Sequence, residues 1–372
     1  MAAEDAGGGS GQGDRRLVMS ITDVEEGIRW QADHAERAGA PCTARVVRGT
    51  LALLGGGTET GRRMAAWPGR VLEDALPLRI AGGLHHLFLT GEAPVLGPVY
   101  AGEVTDQAEV DAIVSGLTER HDALLLPWLD LPPQTNEAGR SASVMAGLLW
   151  LSRRIGPPNG HRFELNEIGA SAGINTMMSR YFYDLGGARA GPEDSLMRIV
   201  PEWRGAPPPQ ARVEIVAARG CDVAPLDLTD SEQVLRLKAY IWADATERMA
   251  RMDAAAQMAA EAAPDLVKMD AAQFVAERLA APQKEGVSRV LFHTVMWQYL
   301  PDSTREAIMA AMEQGGVQAG PNKPLAWIKL ETNRATFRHE LRVRYWPGGE
   351  DWALLAEAHP HGAWVEWLNG EE

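Results

Sequence analysis

The sequence predicts an α/β protein with a mostly parallel sheet, preceded by an all-helical N-terminal domain. Three observations carry this. From Ile21 to about Leu126 apolar residues recur at helical spacing, and no stretch alternates as a strand does. After Gly160 short apolar runs alternate with helical segments, the pattern of parallel strands covered on both faces. Near the end, Leu341–Tyr345, the turn Pro347-Gly348-Gly349 and Ala353–Ala358 spell two antiparallel strands joined by a hairpin.

The length of 372 residues suits one large or two unequal domains. The expected division is a disordered Gly-, Ala- and Asp-rich tail over 1–17, a helical domain over 18–130, and an α/β domain over 131–372. In the helical part, Thr22-Asp23-Val24-Glu25 reads as a capping box, followed by Val24, Ile28, Ala32 and Ala35 on one face. Val46–Leu54 and Val71–Leu89 are further helical runs, the latter interrupted by Pro77 and Gly82-Gly83. Asp106 caps another over Val104–Leu125. Leu131-Pro132-Pro133 breaks the chain, and a helix over Arg140–Ile155 leads into the second part. There the expected strands are Phe163–Glu167, Val213–Ala217, Leu266–Met269, Val287–His293 and Leu325–Leu330. The expected helices are Ala172–Tyr183, Ser231–Ala262, Ala271–Leu279 and Ser303–Met312. Ala363–Trp367 extends the sheet.

Composition excludes several classes. A formal net charge of −14 argues against a nucleic-acid surface, which needs clustered Lys and Arg. Two distant cysteines, Cys42 and Cys221, make neither a disulfide framework nor a structural zinc site, and no metal is expected. No apolar run is long enough to span a bilayer, so a cytoplasmic protein without membrane partners is the expectation. Twelve Trp against six Phe and six Tyr is a skewed aromatic set, read as core and interface packing.

The chemistry centres on Glu167-Ile168-Gly169-Ala170-Ser171-Ala172-Gly173, after a strand and opening a helix. Small residues let a ligand approach the backbone, and the carboxyl ends of parallel strands are where ligands bind. Ser171 and Ile174 stand where a dinucleotide fingerprint needs glycine, and no Gly-Lys-Ser/Thr follows. Glu167 would repel a pyrophosphate. It would attract an amino-acid ammonium and favour a nearby sulfonium, which suits S-adenosylmethionine better than NAD. Tight strand–turn–helix packing with no ligand is the alternative.

The order of these features resembles class I S-adenosylmethionine-dependent methyltransferases from about Leu131 to Trp367. Such enzymes carry a loop like this after the first strand, acids after the second and third, and an antiparallel strand pair at the end. The resemblance implies a Rossmann-like sheet of that type, with Glu167, Gly169, Ala170, Ser171, Gly173, Asp222, Asp270 and Ala271 as cofactor-binding residues. Two departures stand out: the long link from Asp184 to Arg212, and Asp222 lying beyond the expected end of the second strand. Most of the chain also resembles a bacterial family catalogued as a domain of unknown function (2332). The segments that carry it include Gln134–Glu137, Glu167–Asn175, Gly220–Asp227, Val290–Pro301, Leu325–Glu331 and His361–Trp367. That resemblance implies no reaction.

Substrate-side candidates are Asn136, Glu137, His293 and Gln298. Gln134-Thr135-Asn136-Glu137, with Arg140 one turn on, is either a helix cap or a polar segment that orients substrate. His293, at the end of an apolar strand, is either a satisfied core histidine or a general base. Trp297, Gln298 and Tyr299 follow as candidate pocket walls. Gly-Ala-Ser-Ala-Gly also matches the bare nucleophile-elbow pattern, so Ser171 with Asp270 and His293 or His359 is a serine-hydrolase alternative. The leading expectation is methyl transfer to a small molecule; a non-catalytic or regulatory nucleotide-fold protein is another alternative.

Overall fold

The computed structural model describes residues 21–157 and 160–369. The expected tail over 1–17 lies outside them. The chain forms two compact units: residues up to Thr135 with Ser231–Ala250, and Asn136–Asp230 with the residues from Arg251 onward. The boundary thus lies slightly beyond the expected one, and the first unit takes a segment expected in the second. Hydrogen bonding explains this. Asp244 accepts from the N–H groups of Cys42 and Thr43 at 2.9 and 2.8 Å, closing the first turn of a helix two hundred residues away.

The first unit contains α1 (Val24–Arg37), α2 (Pro41–Gly49), α3 (Glu59–Ala65), α4 (Leu76–Leu89), α5 (Gly97–Tyr100) and α6 (Gln107–Leu125). Ile28, Val47, Ile80, Leu84, Val114 and Leu117 meet in its core. Asp106 caps α6, as expected. The cap of α1 is Asp23, one residue after the expected Thr22, with its carboxylate 2.7 Å from the Glu26 nitrogen. The run Val46–Leu54 begins earlier, at Pro41, and tightens into a 3₁₀ segment over Thr50–Gly55. Pro77 falls in the first turn of α4, where its missing N–H costs nothing. Gly82 and Gly83 do not break that helix, because they are packing positions. A Cβ there would meet Tyr240 at 2.8 Å and Leu125 at 2.9 Å. His85, beside them, is buried, and burial pushes its imidazole toward the neutral form.

The second unit is built on a large, mostly parallel sheet. Its strands are β1 (His161–Ile168), β2 (Phe182–Leu185), β3 (Ala188–Ala190), β4 (Arg198–Ile199), β5 (Glu202–Arg204) and β6 (Val213–Asp222). They continue with β7 (Leu266–Lys268), β8 (Val287–Thr294), β9 (Leu325–Thr332), β10 (His339–Trp346), β11 (Gly349–Ala358) and β12 (Trp364–Trp367). The main sheet has the order β5-β12-β11-β10-β9-β8-β1-β6-β7. From β7 to β9 every pairing is parallel. The chain steps outward from β1 to β6 and β7, then returns to β8 on the other side. This reversal is a topological switch point between β1 and β8, outside whose carboxyl ends ligands bind in open α/β sheets. Beyond β9 the sheet turns antiparallel, with β10, β11 and β12 as a meander.

Helix α7 (Ser141–Ile155) is buried along its length from Ser141 to Ser152 and packs through Gly147 against Ile328 and Val343. Helices α8 (Ala271–Ala280) and α9 (Asp302–Gln318) pack on a core of Ile168, Phe274, Val275, Leu291, Ile308 and Met312. Among the described residues, no helix is long and apolar enough to cross a membrane.

Three expectations are corrected. No α-helix runs over Ala172–Tyr183: a 3₁₀ turn over Ile174–Arg180 gives way to β2. Gly173 is left-handed at φ +75, and the aromatic run Tyr181-Phe182-Tyr183 goes into the small sheet β3-β2-β4 instead. That sheet also accounts for the long link from Asp184 to Arg212. The expected strand Val213–Ala217 continues to Asp222, so the acid stands at the strand's end after all. Finally, the stretch Ser231–Ala262 is two helices, Ser231–Ala239 and Thr246–Glu261.

Candidate functional site

The loop after β1 is held by its own neighbours. Gly169, Ser171 and Gly173 all have positive φ, at +67, +54 and +75. For serine this is a strained conformation. The Ala170 N–H donates to the Cys221 carbonyl at 2.9 Å, and the Ser171 N–H to the Asp222 carboxylate at 2.9 Å. The Gly173 N–H closes on the Ala170 carbonyl at 2.7 Å, and the Ile174 N–H donates to the Asn136 side-chain oxygen at 2.9 Å. A phosphate cradle needs such N–H groups pointing at the ligand. Here these four are engaged, and one acceptor is a carboxylate. The loop therefore offers a pyrophosphate neither these N–H groups nor a neutral rim.

Glu167 sits under this loop and is 1% exposed. Its Oε1 accepts from the Asn175 amide at 3.4 Å, while its Oε2 is buried with no hydrogen-bond partner. Burial drives its carboxyl well above the ordinary range; Asn175 and the Arg140 guanidinium oppose this, and Asp222 adds to it. The Asn175 Oδ1 and the Ser171 Oγ are also buried without partners. Buried polar atoms in native proteins are normally satisfied. Glu167 Oε2 and Asn175 Oδ1, on two residues joined by a hydrogen bond, are thus left to accept from a donor once the Glu167 carboxyl is ionised.

On the neighbouring strand β8, His293 is buried, with Nδ1 2.7 Å from the Glu331 Oε1. Glu331, next to last in β9, also accepts from the N–H groups of Met296 and Trp297 at 3.1 and 3.3 Å. The ring of His293 stacks on Trp297 with centroids 5.0 Å apart. Its Nε2 is buried and unpartnered. In the neutral ring, the carboxylate holds the proton on Nδ1 and leaves the lone pair on Nε2. The ring is thus held with its Nε2 lone pair in a fixed direction.

The remaining candidates divide. Asn136 holds the loop through Ile174 rather than capping the helix. Glu137 caps the 3₁₀ turn Ala138–Arg140 that leads into α7: it accepts from the Gly139 N–H at 3.1 Å and pairs with Arg251 at 2.9 Å. Arg140 is buried and donates to the carbonyls of Pro360 and Thr294 at 2.7 and 3.4 Å. Asp270 caps α8, accepting from the Ala272 and Gln273 N–H groups, with Ala271 buried behind it. Gln298 is exposed in a 3₁₀ turn after β8, and Tyr299 is 75% exposed. Met296, in the same segment, lies over Gly169, where a Cβ would meet its side chain at 2.7 Å. His359 and His361 pack on each other, the His361 N–H donating to the His359 Nδ1. No group of three metal-ligating side chains occurs among the described residues.

Sequence reasoning missed Glu331, Asn175 and Met296. The signal for Glu331 was present: an acid directly after the apolar run Leu325–Leu330, at the carboxyl end of a parallel strand.

The family model described as "Uncharacterized protein conserved in bacteria (DUF2332)" matches residues 25–367. The chain belongs to this family. The match spans both units, so this DUF2332 protein carries its helical unit as part of the family's common architecture. No curated protein and no solved structure matches the chain.

Proposed function

We propose that this DUF2332 protein is an S-adenosylmethionine-dependent methyltransferase acting on a small molecule. The observation that carries the reading is Glu167, a buried carboxylate with an orphaned oxygen, under a glycine loop at the switch point of a doubly wound sheet. An ammonium group supplies the donors that Glu167 Oε2 and Asn175 Oδ1 lack, and its charge compensates a carboxylate that burial otherwise makes costly. The strand order supports the reading: Asp222 ends the second parallel strand and Asp270 follows the third, in the positions the resemblance implies for ribose and adenine contacts. Asp222 accepts from the Ser171 N–H on one oxygen and the Ala224 N–H on the other, and each oxygen keeps a second lone pair for a hydroxyl.

The bound cofactor would supply an electrophilic methyl group. The protein's part is positioning and proton handling. His293, oriented by Glu331, takes a proton at Nε2 from a hydroxyl or similar acceptor. Glu137 is less suited to that role, because Arg251 holds its carboxylate as an ion pair. Met296 covers Gly169 with a flexible thioether chain that must turn aside for a ligand to reach the loop.

Isothermal titration of the full chain with S-adenosylmethionine, S-adenosylhomocysteine and NAD tests the reading. Binding of both adenosyl compounds, lost in Glu167→Ala, is the expected result. Binding of neither, or of NAD alone, overturns it. Binding with no methyl transfer to any acceptor moves the protein to the regulatory reading.

A second reading has one observation in its favour. Ser171 combines positive φ with a buried, unpartnered hydroxyl, the local state of a nucleophile on a strained turn. Against it, Ser171 Oγ and His293 Nε2 both lack partners and so are not bonded to each other.

A further inference from the structure

A second group of unsatisfied side chains lies on the antiparallel part of the sheet. Residues Trp327 and Lys329 share one face of β9, since side chains alternate along a strand. Opposite them in register on β10 stand Arg344 and Arg342. Trp352, from β11, is the hub: its ring lies 4.0 Å from the Lys329 Nζ, 5.4 Å from the Arg344 guanidinium carbon, and 5.2 Å from the Trp327 ring.

What these groups lack is informative. The indole Nε1 of Trp327 and the Nε of Arg344 are buried with no hydrogen-bond partner. Arg344 spends its other nitrogens on Glu313, at 2.8 and 3.0 Å. Arg342 pairs with Glu340 at 2.7 Å. Lys329 has only the face of Trp352: no hydrogen bond or ion pair joins it to another described residue. Burial and the nearby Arg342 weaken its hold on its proton, while Glu331 and Glu340 strengthen it. The unsatisfied groups here are all donors, and one is a partly desolvated cation. A neutral carbonyl would satisfy the Trp327 indole and the Arg344 Nε, whose guanidinium charge Glu313 already balances, but would leave the ammonium uncompensated. An anion supplies both the acceptor atoms these donors lack and the charge that compensates the ammonium.

The surroundings favour a flat ligand. Trp297 stacks on His293, lies 5.7 Å from Trp327, and Trp327 leads to Trp352, so a row of indoles runs from the His293 dyad to Lys329.

We propose that Lys329, with Trp327 and Arg344, forms a binding site for a planar small-molecule anion, a carboxylate or phosphate on an aromatic or conjugated body. If the methyl-transfer reading holds, this anion is the acceptor, lying along the tryptophan row with its reacting end at His293. Binding itself does not depend on that reading.

Tryptophan fluorescence of the full chain, titrated at low ionic strength without any adenosyl compound, tests the site. The probes are benzoate, phenyl phosphate and the neutral isostere benzamide. The expected result is saturable quenching by at least one anion, about tenfold or more tighter than benzamide, as a charge-assisted hydrogen bond implies. Lys329→Gln abolishes that preference and Lys329→Arg retains part of it. Trp327→Phe, which keeps the ring packing and removes the N–H, weakens the anion severalfold. Anions that bind no better than benzamide to the wild-type chain overturn the proposal, and so does an anion preference unchanged in Lys329→Gln. Anion binding without adenosyl-compound binding leaves this site standing and removes only the methyl-transfer reading.

Discussion

His293 and Glu331 lie 38 positions apart in the chain and 2.7 Å apart across adjacent strands, Nδ1 to Oε1. The same carboxylate oxygen receives the N–H groups of Met296 and Trp297. One side chain therefore fixes the histidine and the backbone that leaves β8. Val295, inside that turn, has φ +54, a costly conformation for a β-branched residue. Glu331 is part of what holds it.

Replacing Glu331 separates these roles. Glu331→Ala strips three donors of their acceptor and is expected to cost about 1–3 kcal/mol or more, read as a lower urea midpoint. Glu331→Gln keeps a carbonyl oxygen as acceptor and is expected to cost less than half as much. It removes the charge that stabilises an imidazolium, so any methyl-transfer rate falls in kcat more than in KM. Equal destabilisation by the two variants would show that the acceptor is not what matters.

Glu167 sets a pH dependence. Its carboxyl is raised far above the usual 4.5 by burial, so the folded chain keeps a proton that the unfolded chain releases. Between the unfolded value and the folded one, the native state binds more protons, and stability falls as pH rises, by about 1.4 kcal/mol per unit at most. Below the unfolded value the contribution is fully present. Glu167→Gln removes this dependence. The two proteins are expected to have similar urea midpoints at pH 4.5, with the variant gaining as pH rises to 8. A wild-type advantage that grows with pH would mean that Glu167 is ionised and compensated in the free protein.

The sequence carried the sheet well, and for a physical reason. Buried parallel strands such as Val287–Thr294 carry short, strongly apolar cores, here Val290-Leu291-Phe292, and the histidine that follows is visible as a break in the run. The glycine loop was legible too, because positive φ selects its glycines. What followed was not. Ile174–Arg180 has ordinary helical composition, and only the contact of Ile174 with Asn136 and the aromatic β2 behind it decide for a 3₁₀ turn. Asn136 illustrates the same limit. Its neighbours made it a helix cap or a substrate ligand on sequence grounds, and the structure uses its oxygen to anchor a loop 38 positions away. Segment Ser231–Ala250 groups with the first unit because its partners, among them Cys42 and Thr43, are local only in space.

Gly169 and Met296 should prove coupled. A Cβ at Gly169 meets the Met296 side chain at 2.7 Å, and the backbone there is left-handed at φ +67. Gly169→Ala is expected to lose about 1–2 kcal/mol from the backbone alone, with a further loss from the contact. Met296 is flexible, so Met296→Ala in the same chain should relieve the contact and leave the backbone cost. A double-mutant cycle by urea unfolding is expected to give a coupling of about 0.5–1 kcal/mol or more. Strict additivity would mean that Met296 does not rest on the loop in solution.

Ser171 divides the two catalytic readings. Its backbone has φ +54 and its hydroxyl is buried without a partner, so the side chain contributes strain and an unmet polar group. Either feature persists only where the surroundings impose it. Under the methyl-transfer reading the serine is a small residue in a tight turn. Ser171→Ala removes the unmet hydroxyl and is expected to be neutral or stabilising within about 1 kcal/mol. Ser171→Gly also releases the left-handed strain, offset in part by glycine's greater freedom when unfolded, for a gain of up to about 1 kcal/mol. A fluorophosphonate probe leaves the wild-type chain unlabelled. Under the hydrolase reading the probe modifies Ser171, and both variants abolish labelling whatever they do to stability. Labelling that maps to Ser171 would make the His293–Glu331 pair the remainder of a triad, assembled by a movement that brings Nε2 to the hydroxyl. That movement is what the hydrolase reading requires, since Ser171 Oγ and His293 Nε2 are each buried without a partner and so share no hydrogen bond in the structure.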